Sequence, residues 1–99
     1  MYGSIFRMKL KPGTEQELKD VIEEWEKERI PKIQGNVHTL VLKPDNNSKE
    51  LIGVAIFPDK TSYIANADDP EQDKWYRKMR ELLEEDPAWE DGEFIVGDI

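Results

Sequence analysis

The chain alternates between two rhythms of apolar and polar positions. Residues 2–10 read Tyr-Gly-Ser-Ile-Phe-Arg-Met-Lys-Leu, with Phe6, Met8 and Leu10 on one side and Arg7 and Lys9 on the other. That period of two predicts a half-buried strand, which Lys11-Pro12-Gly13 ends. Thr14 then opens a helix, and Glu17 stands three residues on, the spacing of a capping box. Leu18, Val21, Ile22 and Trp25 follow at i, i+3, i+4 and i+7, an amphipathic stripe. Pro31 ends this helix or tightens its last turn, since it has no N–H to donate.

Gly35 releases the chain into a second strand over 36–43. Pro44 to Lys49 is a dense turn signal that predicts a hairpin into a third strand, Glu50 to Phe57. Pro58-Asp59 stops that strand, and a short helical piece over 60–67 follows. Asp69-Pro70-Glu71-Gln72 restarts the helix: Asp69 can cap, Pro70 suits the first position, and Gln72 can reach back. Trp75, Tyr76, Met79, Leu82 and Leu83 form the stripe of this second long helix, which Pro87 closes. Gly92 marks a turn, and Glu93 to Gly97 gives a last strand. The order is βαββαβ, which predicts one α+β domain over 1–99 with a ferredoxin-like antiparallel sheet.

Strands 36–43 and 50–57 add a complication. The second carries Val37, Thr39 and Val41 on one side and His38, Leu40 and Leu42 on the other. The third carries Leu51, Gly53, Ala55 and Phe57 against Ile52, Val54 and Ile56. Neither has a polar face, although a sheet with one side in water should show one. Two helices cover one side of four strands, leaving an apolar face on the order of 400 Å². A second copy of the chain, related by a twofold axis, is the expected cover. A monomer whose own loops fold over the sheet is the alternative.

Composition narrows the chemistry. The formal charge is −8 with no basic cluster, which disfavours nucleic acid and anionic membrane surfaces as partners. Cysteine is absent, so disulfides, thiolate nucleophiles and Cys-ligated metals are excluded. The single histidine cannot build a multi-His metal site; neither a metal nor a cofactor is expected. No leader pattern or membrane-length apolar run is present, and the cytoplasm is the expected location.

The stretch Tyr63-Ile64-Ala65-Asn66-Ala67-Asp68-Asp69-Pro70, followed by Gln72-Asp73-Lys74-Trp75-Tyr76-Arg77, resembles the second-helix region of the antibiotic biosynthesis monooxygenase (ABM)-like family. With the order of elements, the likeness spans essentially the whole chain. It implies a dimeric α/β barrel, in which two sheets pack face to face. It also implies an activity among several: haem degradation, cofactor-free quinone-forming monooxygenation, or none. The haem-degrading pattern needs a histidine on the second long helix and an asparagine on the first strand, and this chain has neither. The cofactor-free pattern can use an asparagine, a tryptophan and an arginine. Asn66 and Trp75 match by type, while the last strand holds no arginine.

Candidate site residues follow. His38 is the one side chain that ordinarily titrates near neutrality. It is the candidate catalytic base for a phenol or enol, with an ordinary strand histidine as the competing reading. Trp75 can wall a flat aromatic ligand or serve as plain core. Tyr63 and Asn66 stand where the short helix breaks, at a pocket rim or as local packing. Arg7 can anchor an anionic group or form a surface salt bridge. Two functions fit: a cofactor-independent monooxygenase or related enzyme acting on an aromatic, polyketide-like molecule, or a non-catalytic homodimer that binds a small molecule or a protein.

Overall fold

In a computed structural model, residues 1–33, 35–46 and 49–99 are described. Strand β1 (Tyr2–Lys9) is followed by helix α1 (Glu15–Glu24), strands β2 (His38–Leu42) and β3 (Glu50–Phe57), helices α2 (Lys60–Ala67) and α3 (Pro70–Arg80), and strand β4 (Ala88–Glu93). The sheet runs β2-β3-β1-β4, with every neighbouring pair antiparallel. This is the ferredoxin-like arrangement expected from the order of elements. No helix among the described residues is long and apolar enough to cross a membrane.

The strand parity read from sequence sets the layers. Phe6 and Met8 of β1 and Leu51 and Phe57 of β3 are buried together with Leu18, Trp25, Trp75, Met79 and Leu83, so the helices cover that side. Ile5, Arg7 and Lys9 face the other way and are exposed. The cross-strand register puts His38, Leu40 and Leu42 beside Ile56, Val54 and Ile52 on this second face. Leu40 and Leu42 keep 62% and 59% of their surface exposed. An apolar row on an edge strand is wet in the single chain.

Helix termini follow local chemistry, with two corrections. Asp59 caps α2 by accepting from the Ser62 backbone N–H at 2.7 Å, and Asp69 caps α3 from Glu71 N–H at 2.9 Å. Those N–H groups hold both carboxyls below their ordinary range. The Thr14 capping box does not form. The Thr14 hydroxyl instead donates to the Lys11 carbonyl at 2.7 Å, which closes the preceding turn, and makes no capping bond to the helix. Gln72 does not reach back either; its oxygen accepts from Arg29 Nε at 3.4 Å.

After α1 the backbone widens into a π-type turn over Trp25–Arg29, with the Ile30 N–H bonded to the Trp25 carbonyl, and then tightens over Ile30–Lys32 at Pro31. The wider turn keeps both Trp25 and Arg29 buried; such turns recur at functional sites. The turn expected over 44–49 includes Asn47 and Ser48, which lie outside the described residues.

The last strand is displaced from the sequence expectation of Glu93–Gly97. Ala88–Glu93 pairs with β1 instead, and Ile95 and Val96 are exposed. Long-range pairing explains the choice. Leu83 bridges Leu10 and the Glu84 N–H donates to the Lys9 carbonyl at 2.8 Å, so the chain is already at the end of β1 when residue 88 arrives. The register then sets Trp89 beside Phe6, ring centroids 4.6 Å apart.

Gly53 is the partner of Phe6 on the other side, and the Phe6 ring lies over it: a Cβ there would stand 2.2 Å from two ring carbons. Gly53→Ala should therefore displace Phe6 and cost about 1–3 kcal/mol by overpacking. Urea unfolding checks this, with an unchanged midpoint counting against the packing described.

Candidate functional site

A cavity of about 390 Å³ lies between the helices and the inner face of the sheet, within the range of small-molecule sites. Its aromatic walls come from both layers. Trp25 and Trp75 pack against each other at 5.1 Å between centroids, and Tyr76 approaches Trp89 at 6.2 Å. The helical stripes deliver the first pair, and the parity of β4 delivers Trp89.

The two buried indoles offer ring faces rather than donors. Trp25 Nε1 donates to Thr39 Oγ1 and Trp75 Nε1 to the Val21 carbonyl, each at 2.8 Å. Both N–H groups are spent on the protein.

Polar groups gather at the end of the cavity near β1 and β4. Tyr63, on α2, donates its hydroxyl to Asp91 Oδ1 at 2.8 Å. Its ring meets Tyr2 and Phe57 edge-on, with centroids 5.2 Å away in each case. Burial pushes the Tyr63 phenol up to about 12; a hydrogen bond with buried Ser4 pulls the other way, while Asp91 pushes further through its hydrogen bond and its charge. The phenol therefore keeps its proton at any neutral pH and acts as a donor.

Asn66, also on α2, lines the same cavity. It is buried, and its Oδ1 accepts from Arg29 Nη2 at 2.7 Å. The same guanidinium reaches Asp69 Oδ2 at 3.2 Å. Asn66 also borders a smaller pocket of about 270 Å³ beside Arg29, Lys32 and Asp69.

Of the sequence candidates, Tyr63, Asn66 and Trp75 come together around this cavity. His38 and Arg7 do not join them. His38 sits on the exposed edge strand with its side chain on the opposite face, because its parity in β2 is the reverse of Thr39. Arg7 is on that opposite face too, 3.4 Å from Glu50; it forms the surface salt bridge. Sequence reasoning missed Arg29, Asp91, Ser4, Thr39, Gln72 and Trp89. One of these had a readable signal: Arg29 continues the stripe Leu18, Ile22, Trp25 at i+11.

No protein-family model matches the sequence, and no curated protein matches it. Solved structures do. A candidate antibiotic biosynthesis monooxygenase from Bordetella bronchiseptica superposes with a TM-score of 0.78 at 11% identity, covering 96% of this chain and 97% of its own. SnoaB, a cofactor-independent oxygenase from Streptomyces nogalater solved as an asparagine-to-alanine mutant, gives 0.74 at 14%, covering 99% and 94%. NE2512, a protein of unknown function from Nitrosomonas europaea, gives 0.75 at 18%, covering 99% and 92%. At such identities the likeness is one of fold, and the fold is that of the ABM-type proteins anticipated from residues 63–77.

The Tyr63–Asp91 pair is directly testable. Asp91→Asn removes the carboxylate charge beside the phenol, so the ionisation of Tyr63 should move down from its position near 12. Tyrosine 13Cζ shifts followed against pH would read this, and an unmoved midpoint would refute the pairing.

Proposed function

We propose that this chain is a cytoplasmic, cofactor-independent monooxygenase that acts as a homodimer on a flat aromatic, polyketide-like substrate held in the cavity between helices and sheet. One observation carries the reading: a cavity of small-molecule size with aromatic walls and a neutral phenol hydrogen-bonded to a carboxylate at one end. The fold shared with SnoaB, itself a cofactor-independent oxygenase, supports it by analogy.

The chemistry follows from those groups. Trp75 and Trp25, packed on each other, wall the rings, Asn66 meets a substrate oxygen, and Tyr63 holds Asp91 in place through its hydroxyl proton. Asp91 takes a proton from a ring CH2 that lies between two aromatic rings and is conjugated through them to a carbonyl. The resulting enolate reduces dioxygen; a C–O bond forms, the O–O bond breaks, and CH2 plus O2 become C=O plus water. No external reductant is required, because the substrate supplies all the electrons. His38 is assigned no part in this step, since its side chain stands on the other face of the sheet.

Non-catalytic binding is the second reading. It is favoured by the exposure of Asp73 and Asp91, the two carboxylates that border the cavity; exposed acids are rarely tuned for proton transfer.

The second copy is proposed to cover Leu40, Leu42 and Ile5, which are exposed on the open face. An apolar patch of this kind is the expected seat of a twofold interface.

Two measurements test these proposals. Oxygen uptake with 1,8-dihydroxyanthrone, in metal-free buffer, should exceed autoxidation, and Tyr63→Phe or Asp91→Asn should lower it at least about tenfold. Uptake no faster than the blank would leave only the binding reading. Sedimentation should give a dimer at micromolar concentration and a monomer for Leu40→Glu; a monomeric parent chain would dismiss the interface.

A further inference from the structure

Arg29 is a cation in an unusual place. It is 5% exposed, carried inward by the π-type turn after α1. Its guanidinium meets three acceptors on the corner between α2 and α3: Asn66 Oδ1 at 2.7 Å, Asp69 Oδ2 at 3.2 Å and Gln72 Oε1 at 3.4 Å. Asp69 answers the charge. The other two are neutral carboxamides, and both line the main cavity.

A guanidinium has only donors. A carboxamide beside it must therefore present oxygen, because the flipped form would set N–H against N–H. That fixes an orientation which is otherwise ambiguous for asparagine and glutamine. It also decides what remains. Neither Asn66 Nδ2 nor Gln72 Nε2 donates to any described residue. No fully buried side-chain nitrogen or oxygen among the described residues lacks a partner, so these N–H groups keep some accessible surface.

We infer that Arg29 sets which end of the Asn66 and Gln72 carboxamides the cavity offers: it takes the oxygens, so a ligand meets N–H groups. The site then selects an acceptor oxygen, as in a ketone, an enolate or a phenolate, and rejects a ring N–H at the same place. Arg29 is a positioning residue; it borders the smaller pocket and acts on the ligand only through the two amides. This deepens the function proposed above and rests on the cavity being a ligand site. For the oxygenation described there, the selected atom is the one on which enolate charge develops, and donors aimed at it would stabilise that charge.

Three probes of one bicyclic shape separate the possibilities: 1-indanone presents an acceptor, indoline an N–H donor, and indane neither. Chemical-shift titration of the full chain should show 1-indanone binding about five- to tenfold tighter than indane, the scale of one hydrogen bond, with indoline gaining nothing. Arg29→Met keeps an unbranched stem and removes every donor, and it should bring the 1-indanone:indane ratio close to one. Arg29→Lys, which retains a charge and a single-point donor, should restore part of it. A ratio untouched in Arg29→Met, or indoline preferred over indane by the parent chain, would overturn the inference. Should Arg29→Met not fold, the parent chain decides. The Asn66 Nδ2 protons should move downfield with 1-indanone and stay still with indane; no movement while neighbouring cavity signals shift rejects the assignment. If no probe perturbs cavity residues, the ligand-site reading fails first, and the role of Arg29 in selection falls with it.

Discussion

A buried guanidinium held by three acceptors from another part of the chain is the interaction on which the rest of this structure leans. Arg29 lies at the end of the first helical segment, and Asn66, Asp69 and Gln72 belong to the corner between α2 and α3. The two helical layers that roof the sheet are thereby joined at one end by a charge-assisted cluster, and by the Trp25–Trp75 contact farther in. Removing one partner of a buried charge leaves the others facing low dielectric without compensation, which is why such clusters are costly to break. Beneath this tie lies the cavity, whose walls are largely aromatic.

Much of the fold was legible because its determinants are local. The parity of β1 and β3, the cap at Asp69, and the Leu18-to-Trp25 stripe all follow from a few neighbouring residues. The final strand was misplaced because its position is a long-range decision. Phe94-Ile95-Val96 has the better intrinsic strand composition, yet the Leu10–Leu83 bridge brings Ala88 to β1 first, and Trp89 then gains Phe6 as a partner. Propensity gave way to register. At Thr14 the hydroxyl is turned toward the Lys11 carbonyl of the preceding turn rather than toward the helix N–H groups.

The site was legible only in part. Tyr63, Asn66 and Trp75 stood out as aromatic or amide residues at a helix break, and they do meet. Arg29 was hidden within Glu26-Lys27-Glu28-Arg29, where charge suggests a solvated face; only its place on the apolar stripe marks it as different. Asp91 was hidden by its neighbour Gly92, which reads as a turn. His38 drew attention for its chemistry, but chemistry does not tell which side of a strand a residue occupies; the alternation Val37-His38-Thr39 does, once one of the three is known to face the helices.

All three tryptophans of the chain, Trp25, Trp75 and Trp89, border the same cavity. The protein's near-ultraviolet emission therefore comes from a single neighbourhood, undiluted by indoles elsewhere. A coloured, planar occupant would sit within energy-transfer range of every emitter at once. The molecule thus carries an intrinsic optical gauge of occupancy, usable on unlabelled protein with a library of compounds before any reaction is known.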